Sequence, residues 1–231
     1  MAAFTVRAGT AVLLIALAAL PACGDSAATS TDEQSYQIDQ KVDVLAVDAR
    51  AAAITVEAGD GPVTVTESFR YGKQRPTTAH NVANSTLTLT ESGCGDDNVR
   101  CEVKYRIRVP AVTRTEITAK AGSVTLTGLA GAVQVTTEAG AVRGSGLAGP
   151  EVTVTSQAGA TELVFAEPPT ALEVRTELGA VSLDLPPQVA YAVTVATEVG
   201  RSQISVDQDP ASKHRVEVHT QVGAVSIEPT P

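Results

Sequence analysis

Six stretches of the chain are versions of one segment: ITAKAGSVTL (117–126), VQVTTEAGAV (133–142), VTVTSQAGAT (152–161), LEVRTELGAV (172–181), VTVATEVGRS (193–202) and VEVHTQVGAV (216–225). They align on Gly122, Gly140, Gly159, Gly179, Gly200 and Gly223. Five residues before the glycine stand Ile117, Val135, Val154, Val174, Val195 and Val218. Three before it stand Ala119, Thr137, Ser156, Thr176, Thr197 and Thr220. One before it stand Ala121, Ala139, Ala158, Leu178, Val199 and Val222. These alternate with Thr, Arg, Glu, Gln and Lys, and period-two alternation marks a half-buried strand. After the glycine the inward positions fall two and four residues on, as in Val124/Leu126, Val181/Leu183 and Val225/Ile227. The parity slips at the glycine, which tolerates the positive φ of a sharp corner. Each repeat reads as strand, glycine corner, strand.

Successive glycines are 18, 19, 20, 21 and 23 residues apart. The added residues collect in one connection per repeat, as in Glu167-Pro168-Pro169-Thr170, Pro186-Pro187-Gln188 and Gln208-Asp209-Pro210-Ala211. Insertions confined to one loop are what a solenoid predicts. The fold expected is all-β, a single-domain right-handed β-solenoid over 36–231. An antiparallel β-sandwich is the alternative. Stacked Thr columns favour the solenoid. An earlier rung fits the frame through Leu45, Val47, Ala49, Ala51, Ile54 and Val56, with Ala52 at the corner and Val63 and Val65 opening another. From about Phe69 to Pro110 the register breaks.

Residues 1–22 read as an export signal. Arg7 is their only charged side chain, and an apolar run, AVLLIALAAL, covers 11–20. That run is shorter than the roughly 20 residues a membrane-spanning helix needs. It ends in Leu20-Pro21-Ala22-Cys23, which resembles the lipobox of bacterial lipoproteins, with Pro21 departing from the commonest pattern. The resemblance implies a lipid on Cys23 and a position outside the cytoplasm, anchored to the outer face of the cell membrane. Ordinary secretion is the alternative. Residues 23–35 (CGDSAATSTDEQS) are small, polar and acidic and read as a flexible tether.

Cys94 and Cys101 remain as a pair in a compartment where disulfides persist. A turn-forming Gly95-Asp96-Asp97-Asn98 lies between them, and strand-like runs flank them at 86–90 and 102–109. The expectation is a disulfide-stapled hairpin near 86–109. Metal binding is the alternative, without ligand spacing to His80, His214 or His219.

A net charge of −9 repels nucleic-acid phosphates and anionic lipid heads, so no nucleic-acid partner is expected. No P-loop, G-x-S-x-G or H-E-x-x-H occurs, and no catalytic residue, metal or cofactor is assigned. The three histidines read as surface residues. The column two before each glycine, Lys120, Glu138, Gln157, Glu177, Glu198 and Gln221, offers acids that would serve an enzyme if paired across a cleft. Gln and Lys dilute it, and a solvated face is the plainer reading. Asp96-Asp97-Asn98 lacks the oxygens that Ca²⁺ requires. Sugar-binding platforms would need aromatics, and Tyr36, Tyr71, Tyr105 and Tyr191 are scattered.

The run VKYRIRVP (103–110), followed by VTLTGLAGAVQVTTEAGAV (124–142), resembles the bacterial putative-adhesin family of β-strand-repeat proteins, often exported as lipoproteins. The resemblance covers roughly 44–227 and implies a β-helix-like stack without catalytic residues to carry over. The function expected is a non-enzymatic, adhesin-like scaffold. Its partners would be the membrane, through the lipid on Cys23, and another envelope protein or a surface glycan. The rivals are a polysaccharide-active enzyme using Glu138, Glu177 and Glu198, and a structural or envelope-stress protein without a specific ligand.

Overall fold

A computed structural model describes residues 29–93 and 101–230. The export signal, Cys23 and Cys94 with its acidic turn lie outside these. The described residues form 18 strands: β1 (Ser30–Ile38), β2 (Val44–Ala58), β3 (Val63–Tyr71), β4 (Thr78–Ala83), β5 (Thr86–Glu91) and β6 (Cys101–Val109), then six strand pairs. These are β7 (Arg114–Ala121) with β8 (Val124–Thr127), β9 (Val133–Ala139) with β10 (Val142–Leu147), and β11 (Glu151–Ala158) with β12 (Thr161–Phe165). They continue with β13 (Ala171–Leu178) and β14 (Val181–Leu185), β15 (Ala192–Val199) and β16 (Ser202–Ile204), and β17 (Arg215–Val222) and β18 (Val225–Pro229).

The six glycine repeats are these six pairs, and they stack in parallel with like columns in register, as in a β-solenoid. Val135 pairs with Val154, Val154 with Val174, and Val174 with Val218. One wall, wall B, carries the strands before each glycine, and the other, wall A, those after it. β2 belongs to both: Val44–Ala51 pairs in wall B with β7, and Ala52–Ala58 in wall A with β6. Antiparallel pairing is confined to β1 with β3, β3 with β6, and β4 with β5. Val63 and Val65 therefore belong to an antiparallel strand, not to a parallel rung. The core is a thin column of Val, Leu and Ile from both walls, closed on the connection side by Leu129, Leu147, Phe165 and Leu185.

The glycine corners stack backbone on backbone. Gly140, Gly159 and Gly179 each donate N–H to the next rung's carbonyl, at 2.8, 2.9 and 3.0 Å. A Cβ at Gly159 would stand 2.0 Å from the Gly140 carbonyl oxygen, so no side chain fits there.

Three further expectations change. First, the residue two before each glycine drops out of register in every rung, a stacked bulge. The parity slips there, before the glycine, so the column one before it is not inward. Leu178, Val199 and Val222 are 55%, 62% and 44% exposed. Second, 86–109 is no hairpin. β5 pairs with the first half of β2 in wall B, and β6 with its second half in wall A. They form one more rung, and Cys94, between them in sequence, lies outside the described residues. Third, the stretch 30–35 of the expected tether belongs to a strand, because β1 pairs with β3 from Ser30↔Tyr71 to Ile38↔Val63. His80 lies on a strand, β4.

Rung order in space departs from chain order at both ends. β2 lies between the β5–β6 rung and the β7–β8 rung. The last pair, β17–β18, lies between β13–β14 and β15–β16. The longest glycine spacing, 23 residues, carries the connection that steps back one rung. The stack ends at β15–β16, not at the chain's last strand.

Candidate binding surface

The outer face of wall B, at the β15 end, gathers the side chains of most chemical interest. The bulge lifts Gln157, Glu177, Gln221 and Glu198 away from the sheet. A groove of about 650 Å³ runs beside them, lined also by Thr155, Arg175 and His219. Arg175, His219 and Ala196 sit side by side in register on β13, β17 and β15. Arg175 pairs with Glu173.

The rung order decides what these acids can do. Gln221 stands between Glu177 and Glu198, as Gln157 stands between Glu138 and Glu177. Parallel strands lie about 4.8 Å apart, so successive acids are about 9.6 Å apart along one face. They project the same way, whereas glycoside hydrolysis needs two carboxyls flanking a bond, about 5–9.5 Å apart. Alternating Glu with Gln also avoids stacking like charges on adjacent strands. Lys120 reaches Glu138 at 3.9 Å.

Beside the groove, Leu178, Val222 and Val199 form an exposed apolar ridge on three successive rungs. Earlier rungs carry Ala121, Ala139 and Ala158 in this column. The ridge is therefore confined to one end of the stack.

The opposite end is plugged by polar groups that sequence reasoning missed. Glu67, 1% exposed, points inward from β3. It accepts hydrogen bonds from Gln34 Nε2 (2.7 Å), Tyr36 OH (2.6 Å) and Thr78 Oγ1 (2.6 Å). His80 stacks on Tyr36 with ring centroids 4.2 Å apart. Arg75 lies over Phe69 and bonds Asp32 at 2.9 Å. Glu91, also buried, takes the backbone N–H of Arg50 and Ala51 at 2.9 Å each, and that of Gly93, capping the corner of β2. Burial, its bond to Glu67 and that carboxylate's charge push the Tyr36 phenol up. Burial and the charges of Glu67 and Glu91 do the same for Tyr105. The signal was present in the pattern: Glu67 and Glu91 occupy inward parity after Val63/Val65 and Leu87/Leu89.

The remaining sequence candidates are dispersed. His214 Nδ1 lies 2.8 Å from the Pro169 carbonyl, and its ring meets Tyr191 edge-on. Tyr105 and Tyr191 are buried and offer no platform. Cys101 opens β6, while its expected partner Cys94 lies outside the described residues. Among the described residues no three His, Cys, Asp or Glu converge on a metal position.

The fold is shared with a solved structure. It is similar to a putative cell adhesion protein from Clostridium sporogenes, with TM-score 0.50 and 14% identity, over 87% of this chain and 100% of that one. A putative adhesin from Bacteroides fragilis matches with TM-score 0.38 and 13% identity, over 87% and 97%. One from Parabacteroides distasonis matches with TM-score 0.31 and 14% identity, over 85% and 97%. No protein-family model matches the sequence. No curated protein matches it either.

Proposed function

We propose that this chain is a non-enzymatic binding scaffold, displayed on the outer face of the cell membrane by a lipid on Cys23. The observation that carries the reading is the apolar ridge Leu178–Val222–Val199 beside the wall B groove. Exposed apolar side chains in register on three rungs have no structural use there, and such patches mark interaction sites. The described chain enters through β1, at the plugged end. A tether on that side leaves the ridge and groove facing outward. The partner is an envelope component or surface glycan, and the dispersed acids of wall B shape its binding without turnover.

Binding of the purified protein to isolated bacterial envelopes tests this. Saturable binding, reduced about tenfold or more in L178S/V199S/V222S and retained in E177Q/E198Q, is the expected result. Equal binding by the ridge variant would sink the proposal. Release of envelope sugar that disappears in E177Q/E198Q would establish the enzyme instead. Cys23→Ser should move the protein from the membrane to the soluble fraction, and membrane retention of that variant would remove the anchor.

A further inference from the structure

We propose that the outer face of wall A at the plugged end rests on the anionic headgroups of the membrane, with wall B turned away from the lipid. This rests on the reading that Cys23 carries the lipid. Charge is unevenly spread along wall A. Its outward side chains on β3 and β6 include Arg70, Lys104, Arg106 and Arg108, all exposed. Those on β12, β14 and β18 include Glu162, Asp184 and Glu228 and no base. Strands β2, β8 and β10 separate β6 from β12, so these acids begin about 19 Å away. That exceeds the screening length of about 10 Å in 0.1 M salt. The net charge of −9 repels anionic lipid from most of the surface, while the face at β3 and β6 meets it as a base.

Arg70, Arg106 and Arg108 have no hydrogen-bond or ion-pair partner among the described residues. Arg106 and Arg108 stand about 7 Å apart on one strand. Hydroxyls flank them in register, Thr66 and Thr55 beside Arg106 and Thr64 beside Arg108. A Cβ at Gly59 would overlap the Arg108 side chain, so the glycine leaves that arginine room to lie over the sheet. A guanidinium grips phosphate oxygens through two donors at once, and hydroxyls add more. The nearby acids are mostly engaged. Glu102 pairs with Lys104 at 3.3 Å, and Glu33 accepts from Ser68 Oγ at 2.9 Å. Glu57, in register with Arg108, is half-buried.

Tether length selects the membrane over a more distant polyanion. Residues 24–29 lie between Cys23 and β1, so Ser30 stands at most about 25 Å from Cys23. Thr31 pairs with Arg70, and Arg106 lies about 17 Å from Thr31 across β3 and β6. Each arginine near an anionic surface adds about fivefold to binding. Three free arginines therefore give about a hundredfold, an affinity in the millimolar range. A short tether supplies a local concentration in that range. The lipid holds the protein and the arginines set how it stands. The ridge and groove on wall B then face away from the membrane.

Nuclear magnetic resonance titration of the full chain carrying Cys23→Ser tests this without the anchor, so its failure is distinct from a failure of the lipid reading, which the cell fractionation above reports. Bicelles of phosphatidylglycerol and phosphatidylcholine should shift the amides of Thr55, Thr66, Arg106 and Arg108, with a millimolar-range dissociation constant that about 0.5 M salt abolishes. Bicelles of phosphatidylcholine alone should shift none of them. R106E/R108E should weaken binding about thirtyfold or more. R114E/K120E, the same charge change on the outer face of wall B, should leave it within about twofold. Should R106E/R108E not fold, R106Q and R108Q should each weaken binding about fivefold. Absent shifts, equal shifts with phosphatidylcholine alone, or equal losses in the wall A and wall B variants overturn the proposal. Shifts from soluble polyphosphate with none from the bicelles overturn it in favour of an anionic polymer.

Discussion

Replacing Gly159 by alanine tests whether backbone stacking at the corners holds the solenoid together. Gly159 has φ of 142°, and its Cβ would lie 2.0 Å from the Gly140 carbonyl oxygen and 2.6 Å from the carbonyl carbon. A tolerable contact is about 3 Å or more, so the corner must open by about 1 Å. That motion stretches Gly140 N–H to Ala158 O (2.8 Å) and Gly159 N–H to Leu178 O (2.9 Å). At about 1 kcal/mol net per bond, plus about 1–2 kcal/mol for the left-handed backbone, the loss is about 3–4 kcal/mol. Gly61 is the control. Its φ is 90°, and nothing lies within 4 Å of an added Cβ. Gly61→Ala should cost only the backbone part, about 1–2 kcal/mol. Urea unfolding followed by circular dichroism gives both values. If Gly159→Ala costs no more than Gly61→Ala, the close approach of the corners is not what makes glycine necessary.

Glu67→Gln should lower stability by about 1–3 kcal/mol in thermal unfolding, because an amide cannot accept from all three of Gln34, Tyr36 and Thr78 and leaves a buried donor unpaired. An unchanged melting temperature would show that the plug does not depend on the carboxylate. Thr176→Val should leave urea stability unchanged or raise it by up to about 1 kcal/mol, since the buried hydroxyl has no partner. A clear loss would mean that this hydroxyl is bonded after all. The Tyr191 phenol is pushed up to about 12 from 10.0 by burial. The unfolded chain ionises first, so this contribution is whole below pH 10 and drains as pH rises from 10 to 12. The urea midpoint should fall across that window, and by less in Tyr191→Phe. Equal falls in the two proteins would remove Tyr191 as a cause.

The repeats were legible because one physical constraint writes one column. A corner with carbonyl oxygen 2.0 Å from any Cβ admits only glycine, and inward positions between two walls admit only apolar or small residues. What the columns could not convey is how the rungs are ordered. Stacking β17 on β13 or on β15 satisfies the same Val and Thr columns, so chain order does not reveal that Gln221 stands between Glu177 and Glu198. The bulge hid for a related reason. Leu178, Val199 and Val222 keep the apolar alternation of an inward residue, yet the dropped register turns them outward. The hairpin reading failed because β5 and β6 resemble two arms of a turn, while each pairs with a different half of β2, in a different wall. The plug was obscured by its charge. Glu67 looks like a break in an apolar strand until Gln34, Tyr36 and Thr78, from strands that pair antiparallel, are seen to surround it.

The exchanged rung order has a consequence for the free end. In a simple repeat stack the last rung is also the chain terminus, and it frays because release frees a flexible tail. Here the outermost rung, β15–β16, is tied at both ends, to β14 before it and to β17 behind it, and β17–β18 is clamped between two neighbours. Opening β15–β16 frees only a closed loop, which gains less entropy than a tail would. β17–β18, the last described rung in chain order, is an interior rung. The outermost rung is thereby kept ordered, and Tyr191, just before β15, is held on the open side by Asp207 and Asp209.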